Sequence, residues 1–542
     1  MRRVRLRFAC ALFAIGAVLH ARTGVPAEPL HLPIVGQPLT LTWYTGLPPA
    51  AAVSIRSLSE QSAYQVLAER TGIRIAFTHP PIGAEVERFN LLAVSGTYPD
   101  VIEEDWKLYP GGAEQALQDR FIIPLNDLIR RYAPNFQALL DANPDMRRQI
   151  SSDDGTIYCF PLLRLDPQVR TIWGPQIRAD WLDKAGLAVP TTMAEWHEVL
   201  TAFKTRRVNG RDDLIPYSAF NDIGDRSVPG LPPALWPFLG PFGLAPEFYQ
   251  INGKVHYSPF EPAYRAFLAT LHQWYAEGLL DADFALQNNK QFDAKMLNNN
   301  IGAYASFNGS TLGRFSVMSR SLIPNFRLVA APFPAGTDGS RHITYPPAAQ
   351  IFVGRGAAVS GQNAHVVETI KYLDYGYSRE GGLALSFGKE GLSYTLIDGK
   401  PRYTDAVVRN SNRSIVEAIY QHARPQSGPL VQDAEYLTQF YVLPAQIDAL
   451  KIWSEGSTDL LLPSLQIDRA NARKFAALMS DINTYVAEMT VKFIVGRAAL
   501  DDFDGYRSNL DRAGITRAIE LMQNALDRYN AKPVVTTQPT KN

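Results

Sequence analysis

The sequence has little cysteine, no surplus of either charge and no long apolar run in its body. Two of its 542 residues are cysteines, Cys10 and Cys159, which excludes a disulfide framework and a cysteine-based metal site. Basic and acidic residues number 53 each. Because a nucleic-acid partner requires a basic face, this balance argues against nucleic-acid binding.

The motifs of several enzyme classes are also missing. The nine histidines show no His-Glu-x-x-His spacing, and the sequence contains no nucleophile elbow and no Walker A loop. Gly354-Arg-Gly356 lacks the third glycine of a dinucleotide-binding fingerprint. We therefore expect a protein that is not an enzyme and that has no cofactor.

The first 27 residues have the pattern of a signal peptide. Basic residues up to Arg7 precede the apolar run Phe8–Leu19, which is too short to be the alternative, a membrane anchor. Small residues that end at Ala27 favour cleavage there, and Ala21 offers a second position. Cys10 lies inside the apolar run and not after it, which predicts no lipid anchor. Cleavage at Ala27 removes five arginines and no acid, so the net charge becomes −5.

Hydrophobic patterning predicts strands that alternate with helices. Leu39–Trp43 alternates as a first strand, residues 58–71 have a helical pattern, Ile73–Phe77 forms a second strand, and Asp100–Ile102 begins a third. This order predicts a mostly parallel sheet with helices on both faces. Ligands of such sheets bind beyond the carboxyl ends of the strands.

The most informative segment is Trp173–Lys204. Thr192 and Glu195 fit a capping box, and apolar residues repeat after them at helical spacing. Within the segment, Arg178-x-Asp-Trp-Leu-Asp-Lys-x-Gly-Leu-x-Val-Pro-Thr-Thr192 resembles the extracellular solute-binding proteins, family 1, of sugar-importing ABC transporters. The similarity is strongest to the large type that includes alginate-binding and other oligosaccharide-binding receptors.

Further landmarks of this family follow in the family's order. They are Gly96–Trp106, Phe121–Ile129, Asp154–Tyr158, Phe387–Tyr394, Asp481–Tyr485 and Leu500–Asp504. The resemblance therefore covers nearly the whole chain beyond the signal peptide. It implies an α/β fold of the two-lobed periplasmic binding protein type (type II-like), with the ligand cleft between the lobes and extra C-terminal helices.

The resemblance also implies that the chain passes between the lobes more than once. The expected division is 1–27 signal peptide, 28–165 first lobe, 166–320 second lobe, 321–380 first lobe again, 381–531 second lobe with the C-terminal helices, and 532–542 disordered tail.

Aromatic rings are the first candidates for ligand binding, because sugars stack their C–H faces on flat rings. We predict this role for rings at strand ends and in loops: Trp43, Tyr44, Trp106, Trp173, Trp236, Tyr304, Phe307, Tyr345, Phe387 and Tyr394. The alternative for every ring is a place in the core, which we assign to Trp181, Trp196 and Trp274 on apolar helix faces. Trp236→Ala is expected to weaken ligand binding and to leave the melting temperature nearly unchanged.

Charged residues complete the predicted site. Three adjacent acids, Glu103, Glu104 and Asp105, do not provide the separated carboxylates of a glycosidase. We predict that Asp105 accepts hydrogen bonds from sugar hydroxyls. Arg170 is the candidate partner for a uronic acid carboxylate, because its guanidinium matches that group. The alternative is an internal salt bridge, which we favour for Arg178.

A calcium site is not expected. Members of this family often carry an acidic calcium loop before an Ile-Pro pair. The matching segment Thr205–Pro216 keeps Asn209 and Asp213, but Arg207 and Leu214 replace expected ligands. We predict that no metal binds here and that Arg207 supplies the positive charge.

The resemblance implies a monomeric periplasmic receptor that captures an oligosaccharide, neutral or uronic, and delivers it to an ABC transporter permease. Two alternatives remain open at this point. One is a secreted glycan-degrading enzyme, and the other is a sugar sensor of the same fold that docks on a membrane kinase.

Overall fold

The computed structural model describes residues 28–220, 230–410 and 412–533. The expected signal peptide and most of the expected tail lie outside these residues. Among the described residues, no helix combines the length and the hydropathy that are needed to cross a bilayer.

The strands are β1 (Leu39–Tyr44), β2 (Ile73–Thr78), β3 (Val101–Asp105), β4 (Phe160–Leu163), β5 (Trp173–Arg178), β6 (Ile215–Tyr217), β7 (Phe248–Ile251), β8 (Lys254–Tyr257), β9 (Ile301–Phe307), β10 (Leu328–Ala330), β11 (Arg355–Val359), β12 (Tyr394–Ile397), β13 (Lys400–Tyr403) and β14 (Leu430–Val431). The α-helices are α1 (Pro49–Ala52), α2 (Ser62–Thr71), α3 (Glu85–Val94), α4 (Gly112–Gln118), α5 (Asn126–Tyr132), α6 (Pro134–Ala142), α7 (Pro144–Ile150), α8 (Pro167–Arg170), α9 (Ala179–Ala185), α10 (Met193–Thr205), α11 (Pro262–Ala276), α12 (Asn289–Leu297), α13 (Arg314–Met318), α14 (Val366–Tyr375), α15 (Arg379–Phe387), α16 (Asp405–Val408), α17 (Ile415–His422), α18 (Ala434–Phe440), α19 (Pro444–Ser454), α20 (Arg469–Ile494), α21 (Phe503–Arg512) and α22 (Ile515–Ala531).

Two sheets organise the molecule. The first is six-stranded in the order β14-β4-β11-β3-β1-β2, and β11 alone runs against its neighbours. The second has the order β10-β5-β9-β6, and β5 runs against its neighbours. The predicted α/β architecture is therefore confirmed. The first sheet is mostly parallel, as predicted, whereas two of the three strand pairings in the second sheet are antiparallel.

Each sheet has its own hydrophobic core, and these two bodies are called the first lobe and the second lobe below. The first core includes Leu41, Ile102 and Phe136, and the second includes Trp196 and Trp274. A third cluster, built around Phe387, Tyr403 and Tyr436, also contains Val169 from the segment that joins β4 to β5. Trp181, Trp196 and Trp274 are buried in the second core, as predicted.

The chain returns to the first lobe later than the expected boundary at residue 321. The strand β10 pairs with β5 in the second sheet, and Tyr345 and Ala348 still belong to the second core. The return begins near Phe352, just before β11 enters the first sheet. Residues after 380 also differ from the expected division, because α15 packs on α2 and β14 pairs with β4. Such long-range pairing is set by the sheet and not by local sequence.

Helix ends follow the local sequence closely. The hydroxyl of Thr192 accepts from the backbone N–H of Glu195, whose carboxylate accepts from the backbone of Thr192 in return. This capping box begins α10 at the predicted residue. The C-terminal helices that the resemblance implies are present as α20 and α22, whose apolar residues repeat at helical spacing and join the second core.

Candidate ligand-binding site

The carboxyl edge of the first sheet brings three polar side chains together. The strand β1 ends at Tyr44, β3 ends one residue after Glu104, and the antiparallel β11 begins at Arg355, opposite Asp105. Arg355 lies 250 residues from Asp105 in the chain, so only the sheet register makes them neighbours. A guanidinium, a carboxylate and a phenol therefore meet where α/β sheets bind their ligands.

These three side chains hold buried polar atoms that lack hydrogen-bond partners within the described residues: Tyr44 Oη, Glu104 Oε2 and Arg355 Nε. The Nη2 atom of Arg355 lies 3.3 Å from Glu104 Oε1, and the Glu104 side chain is only 4% exposed. Buried polar atoms are nearly always paired, so three unpaired ones at one place are suited to a water molecule or a ligand hydroxyl. We call Tyr44, Glu104 and Arg355 the edge site.

Electrostatics keep the phenol of the edge site neutral. Burial, with the adjacent Glu104 charge, raises the pKa of Tyr44 to about 12. Burial also raises the pKa of Glu104, while Arg355 acts in the opposite direction. The site thus offers a hydroxyl that donates or accepts, a guanidinium that donates and a carboxyl that accepts when it is ionised.

A second buried ion pair fixes β3 from its other face. The Arg424 Nη2 atom donates to both carboxylate oxygens of Glu103 at 2.7 and 2.8 Å, and Arg424 Nη1 donates to Tyr64 Oη at 2.8 Å. Successive strand residues point to opposite faces, so Glu103 turns toward Arg424 while Glu104 turns toward Arg355. Sequence reasoning missed both arginines, because no local signal links them to β3.

In the second lobe, four of the predicted aromatic residues form one cluster. Trp173 at the start of β5 stacks on Tyr345 with ring centroids 5.4 Å apart, and Trp236 lies 6.2 Å from Trp173. Phe307 at the end of β9 meets Tyr345 edge-on at 6.2 Å. The indole N–H groups of Trp173 and Trp236 are buried without a partner among the described residues. Phe307 alone is partly exposed.

The other predicted rings lie inside the cores and not on open loops. Trp43 packs against Phe77 in the first lobe, and Trp106 donates its Nε1–H to the Gly356 carbonyl at 3.0 Å. Tyr304 packs against Phe292 at 5.0 Å in the second lobe. Phe387 and Tyr394 belong to the third cluster. These residues lie at predicted strand ends, but burial of large rings dominates their placement. A ligand contact for any of them stays a prediction.

The predicted charged residues take different places. Asp105 caps the turn after β3 by accepting from the backbone N–H of Lys107 at 3.1 Å, and it lies at the rim of the edge site. Arg170, on the segment that crosses to the second lobe, is half-buried, and its Nε has no partner among the described residues. Burial lowers its pKa, and the nearby Asp166 opposes that effect. Arg178 pairs with Asp180 at 2.7 Å, the salt bridge that we favoured.

A narrow cavity of about 50 Å³, partly open to solvent, lies between the first lobe and the C-terminal region, and none of the three edge-site residues lines it. Its walls include Trp106 and Gly354 from the first lobe, and Ser464, Tyr529 and Lys532 from the C-terminal region. Gly354 has φ +102°, and a Cβ atom there would lie 2.6 Å from Asp105 Oδ1. Only glycine therefore lets the chain turn into β11 at this position.

The segment that matches the family's calcium loop is occupied by ion pairs. The guanidinium of Arg211 donates to both carboxylate oxygens of Asp213, at 2.7 and 2.5 Å, and Arg207 pairs with Asp212 at 2.9 Å. Asn300 donates to Asp213 as well, at 3.0 Å. The compensating charge at Asp213 thus comes from Arg211 and not from Arg207, which the sequence predicts for this role. Across the described residues, no cluster of three or more His, Cys, Asp or Glu side chains is placed to hold a metal ion.

The two lobes, each with its own sheet and core, define a two-lobed α/β fold of the kind that solute-binding proteins have. The alginate-binding protein AlgQ2, solved without calcium ion, superposes with a TM-score of 0.64 at 24% identity, covering 91% of this chain and 99% of that one. The HMO-binding, ABC-transporter-associated solute-binding protein of Bifidobacterium longum infantis superposes with a TM-score of 0.70 at 18% identity, covering 92% and 100%. These likenesses establish the fold.

In sequence, the chain is 24% identical over 520 residues to the fructooligosaccharide ABC transporter substrate-binding protein FusA of Streptococcus pneumoniae, over 91% of each chain. FusA in complex with kestose superposes with a TM-score of 0.63 over 91% of this chain and 99% of that one, at 22% identity. Lipoprotein LipO of Bacillus subtilis is 24% identical over 385 residues, which cover 69% of this chain and 70% of LipO. No protein-family model matches the chain. The chain is thus a homologue of ABC transporter substrate-binding proteins, which confirms the resemblance seen in its sequence.

Proposed function

We propose that this protein captures an oligosaccharide between its two lobes and delivers it intact to the permease of an ABC importer. The observation that carries the proposal is the edge site, in which one buried atom each of a phenol, a carboxylate and a guanidinium has no hydrogen-bond partner among the described residues. Sugar hydroxyls supply both donors and acceptors and match such a set. The relationship to FusA, a fructooligosaccharide-binding protein by name, supports the same substrate class.

The proposal includes the cellular setting and the absence of catalysis. The signal peptide directs export to the periplasm and is removed after Ala27, and the mature protein acts as a monomer without a lipid anchor. The position of Cys10 inside the apolar run supports the last point, although the relative LipO is named a lipoprotein. Mass spectrometry of the protein purified from the periplasm tests it, because a lipidated N-terminal cysteine would add the mass of its acyl chains.

Titration calorimetry tests the central claim. The mature protein should bind one member of a panel of neutral and uronic oligosaccharides with a stoichiometry of one. Chromatography of the sugar recovered after long incubation should return it at its original length. Shortened products that disappear in Glu104→Gln would identify an enzyme, and a complete lack of binding would contradict a carbohydrate receptor.

A further inference from the structure

The charges around the edge site bear on which sugar it accepts. Arg355 is the only cation within it, and that guanidinium already faces Glu104 Oε1 at 3.3 Å. The helix α3 adds one charge of each sign, Glu85 and Arg88, and both act on the Tyr44 hydroxyl. Asp105 adds a further negative charge beside Glu104. Three carboxylates, of Glu85, Glu104 and Asp105, thus stand against the guanidinium groups of Arg88 and Arg355, so the surroundings of the site have no excess of positive charge to neutralise an acidic ligand.

We propose that the edge site binds an uncharged sugar unit through adjacent hydroxyls and rejects a uronic acid unit. This inference rests on the proposed function and narrows its substrate class. A hydroxyl pair can donate to Glu104 Oε2 while it accepts from Arg355, so both unpaired atoms are satisfied by one ring. A ligand carboxylate can only accept, and at Arg355 it would lie beside the free oxygen of Glu104. The ligand carboxylate and the Glu104 carboxylate would then be neighbours in a buried site, where two negative charges repel each other.

The backbone leaves room for a ring beside the guanidinium. Gly46 follows β1, and a Cβ atom placed on it would be 3.5 Å from Arg355 Nη2 and 3.9 Å from Glu85 Cγ. Any longer side chain at this position would cover the guanidinium. With glycine there, the face of Arg355 stays open, and 39% of its side chain is exposed.

The experiment compares neutral tri- to pentasaccharides of several linkages, kestose among them, with uronic oligomers of the same lengths. Calorimetry is run on the wild type, Glu104→Gln and Tyr44→Phe. The wild type should bind its best neutral sugar at least about tenfold more tightly than any uronic oligomer. Glu104→Gln should weaken the neutral sugar about tenfold, because a charge-assisted hydrogen bond becomes a neutral one. The same variant should bind uronic oligomers more tightly than the wild type, because the repulsion is gone.

Tyr44→Phe keeps the test valid if Glu104→Gln folds poorly. The lost hydroxyl has no partner among the described residues, so the melting temperature should not fall, whereas the affinity for the neutral sugar should fall severalfold. Glu69→Gln, at an exposed pair with Lys389, is the matched control and should change neither affinity.

The possible failures are distinguishable. This inference would be overturned if the wild type bound uronic oligomers more tightly than neutral sugars and Arg170→Gln abolished that binding. The proposed function would then remain intact. Equal loss of both sugar classes in Glu104→Gln, or unchanged affinity in both edge-site variants, would also overturn the inference. Binding of no carbohydrate at all would overturn the proposed function itself.

Discussion

Glu247 illustrates how one residue can make stability depend on pH. It has a left-handed backbone with φ +55°, and burial raises the pKa of its carboxyl to about 7. Its carboxylate forms no ion pair among the described residues. Because the folded-state pKa lies above the unfolded value, the folded state binds the proton more tightly. Stability is therefore lost as pH rises through the window from about 4.5 to 7.

Glu247→Gln should raise the free energy of unfolding at pH 8 by roughly 2 kcal/mol and leave it nearly unchanged at pH 4.5. Urea unfolding at the two pH values measures both quantities. Glu198→Gln, on the exposed face of α10, is the matched control and should have no effect at either pH. An equal effect of Glu247→Gln at both pH values would show that ionisation is not the cause.

Trp236 is a core residue, and the structure reverses our expectation for its alanine variant. Its side chain is 2% exposed and packs against Trp173. Trp236→Ala should therefore cost about 3–5 kcal/mol of folding free energy, as large-to-small core substitutions do. Trp236→Phe should cost clearly less. Denaturant unfolding of both variants checks this, and an unchanged midpoint in Trp236→Ala would restore the view of this ring as an open binding platform.

At the residue scale, the sequence predicts the positions of side chains but not their partners. Tyr44 and Asp105 lie at the sheet edge, as their positions after hydrophobic strands indicate. In the sequence Glu104 is one of three adjacent acids, and what distinguishes it is its pair with Arg355, which lies far along the chain. The sequence also leaves the place of an aromatic residue at a strand end ambiguous, because a hydrophobic core and a sugar-binding cleft both favour an aromatic ring.

At the element scale, local signals predict most boundaries well. The capping box at Thr192 and the apolar faces of α20 and α22 are encoded within a few turns. The short helix α21 between them was not predicted. The sequence does not predict where the chain returns to the first lobe. The short strand β10 lies after the expected boundary at residue 321 but pairs with β5 in the second sheet through backbone hydrogen bonds, and its own sequence gives no sign of that pairing.

The segment Thr205–Pro216 should make the protein indifferent to calcium. Arg211 holds the pKa of Asp213 below its usual range, so the carboxylate is ionised and already paired. Addition of EDTA or of millimolar CaCl₂ should leave the melting temperature of the wild type unchanged. In Arg207→Gln/Arg211→Gln, the freed carboxylates of Asp212 and Asp213 should make the melting temperature respond to calcium. A drop on EDTA treatment of the wild type would contradict the prediction.

At the scale of the whole molecule, the chain passes between two cores near residues 163–173, near 348–352 and again after β14. Several crossings of this kind provide a hinge about which the lobes can close on a ligand. Sequence resemblance predicted the lobes and their cleft. It did not predict that the C-terminal region also contacts the first lobe directly.

The helix α22 is anchored in the second lobe by Ile515 and Ala518, yet its end reaches the first lobe. Arg528 Nε donates to the carboxylate of Asp153 at 2.8 Å, and Lys532 Nζ donates to the Ser151 carbonyl at 2.6 Å. The anchor is apolar and buried, whereas the contact with the first lobe is polar and partly exposed. Lobe motion should therefore break the polar contact and leave the anchor intact.

In the ligand-free protein, Arg528→Gln and Asp153→Asn should each increase the mean distance between the lobes and broaden the distribution of that distance. Spin labels on Val94→Cys and Leu286→Cys report this distance, because both positions are exposed on different lobes and the native Cys159 is buried. The double variant should change the distribution by less than the sum of the two single variants, since each of them already removes the Arg528–Asp153 ion pair. Arg265→Gln, which breaks an ion pair with Asp501 inside the second lobe, is the control. Distributions that match this control, or additive effects in the double variant, would show that Arg528 does not hold the lobes together.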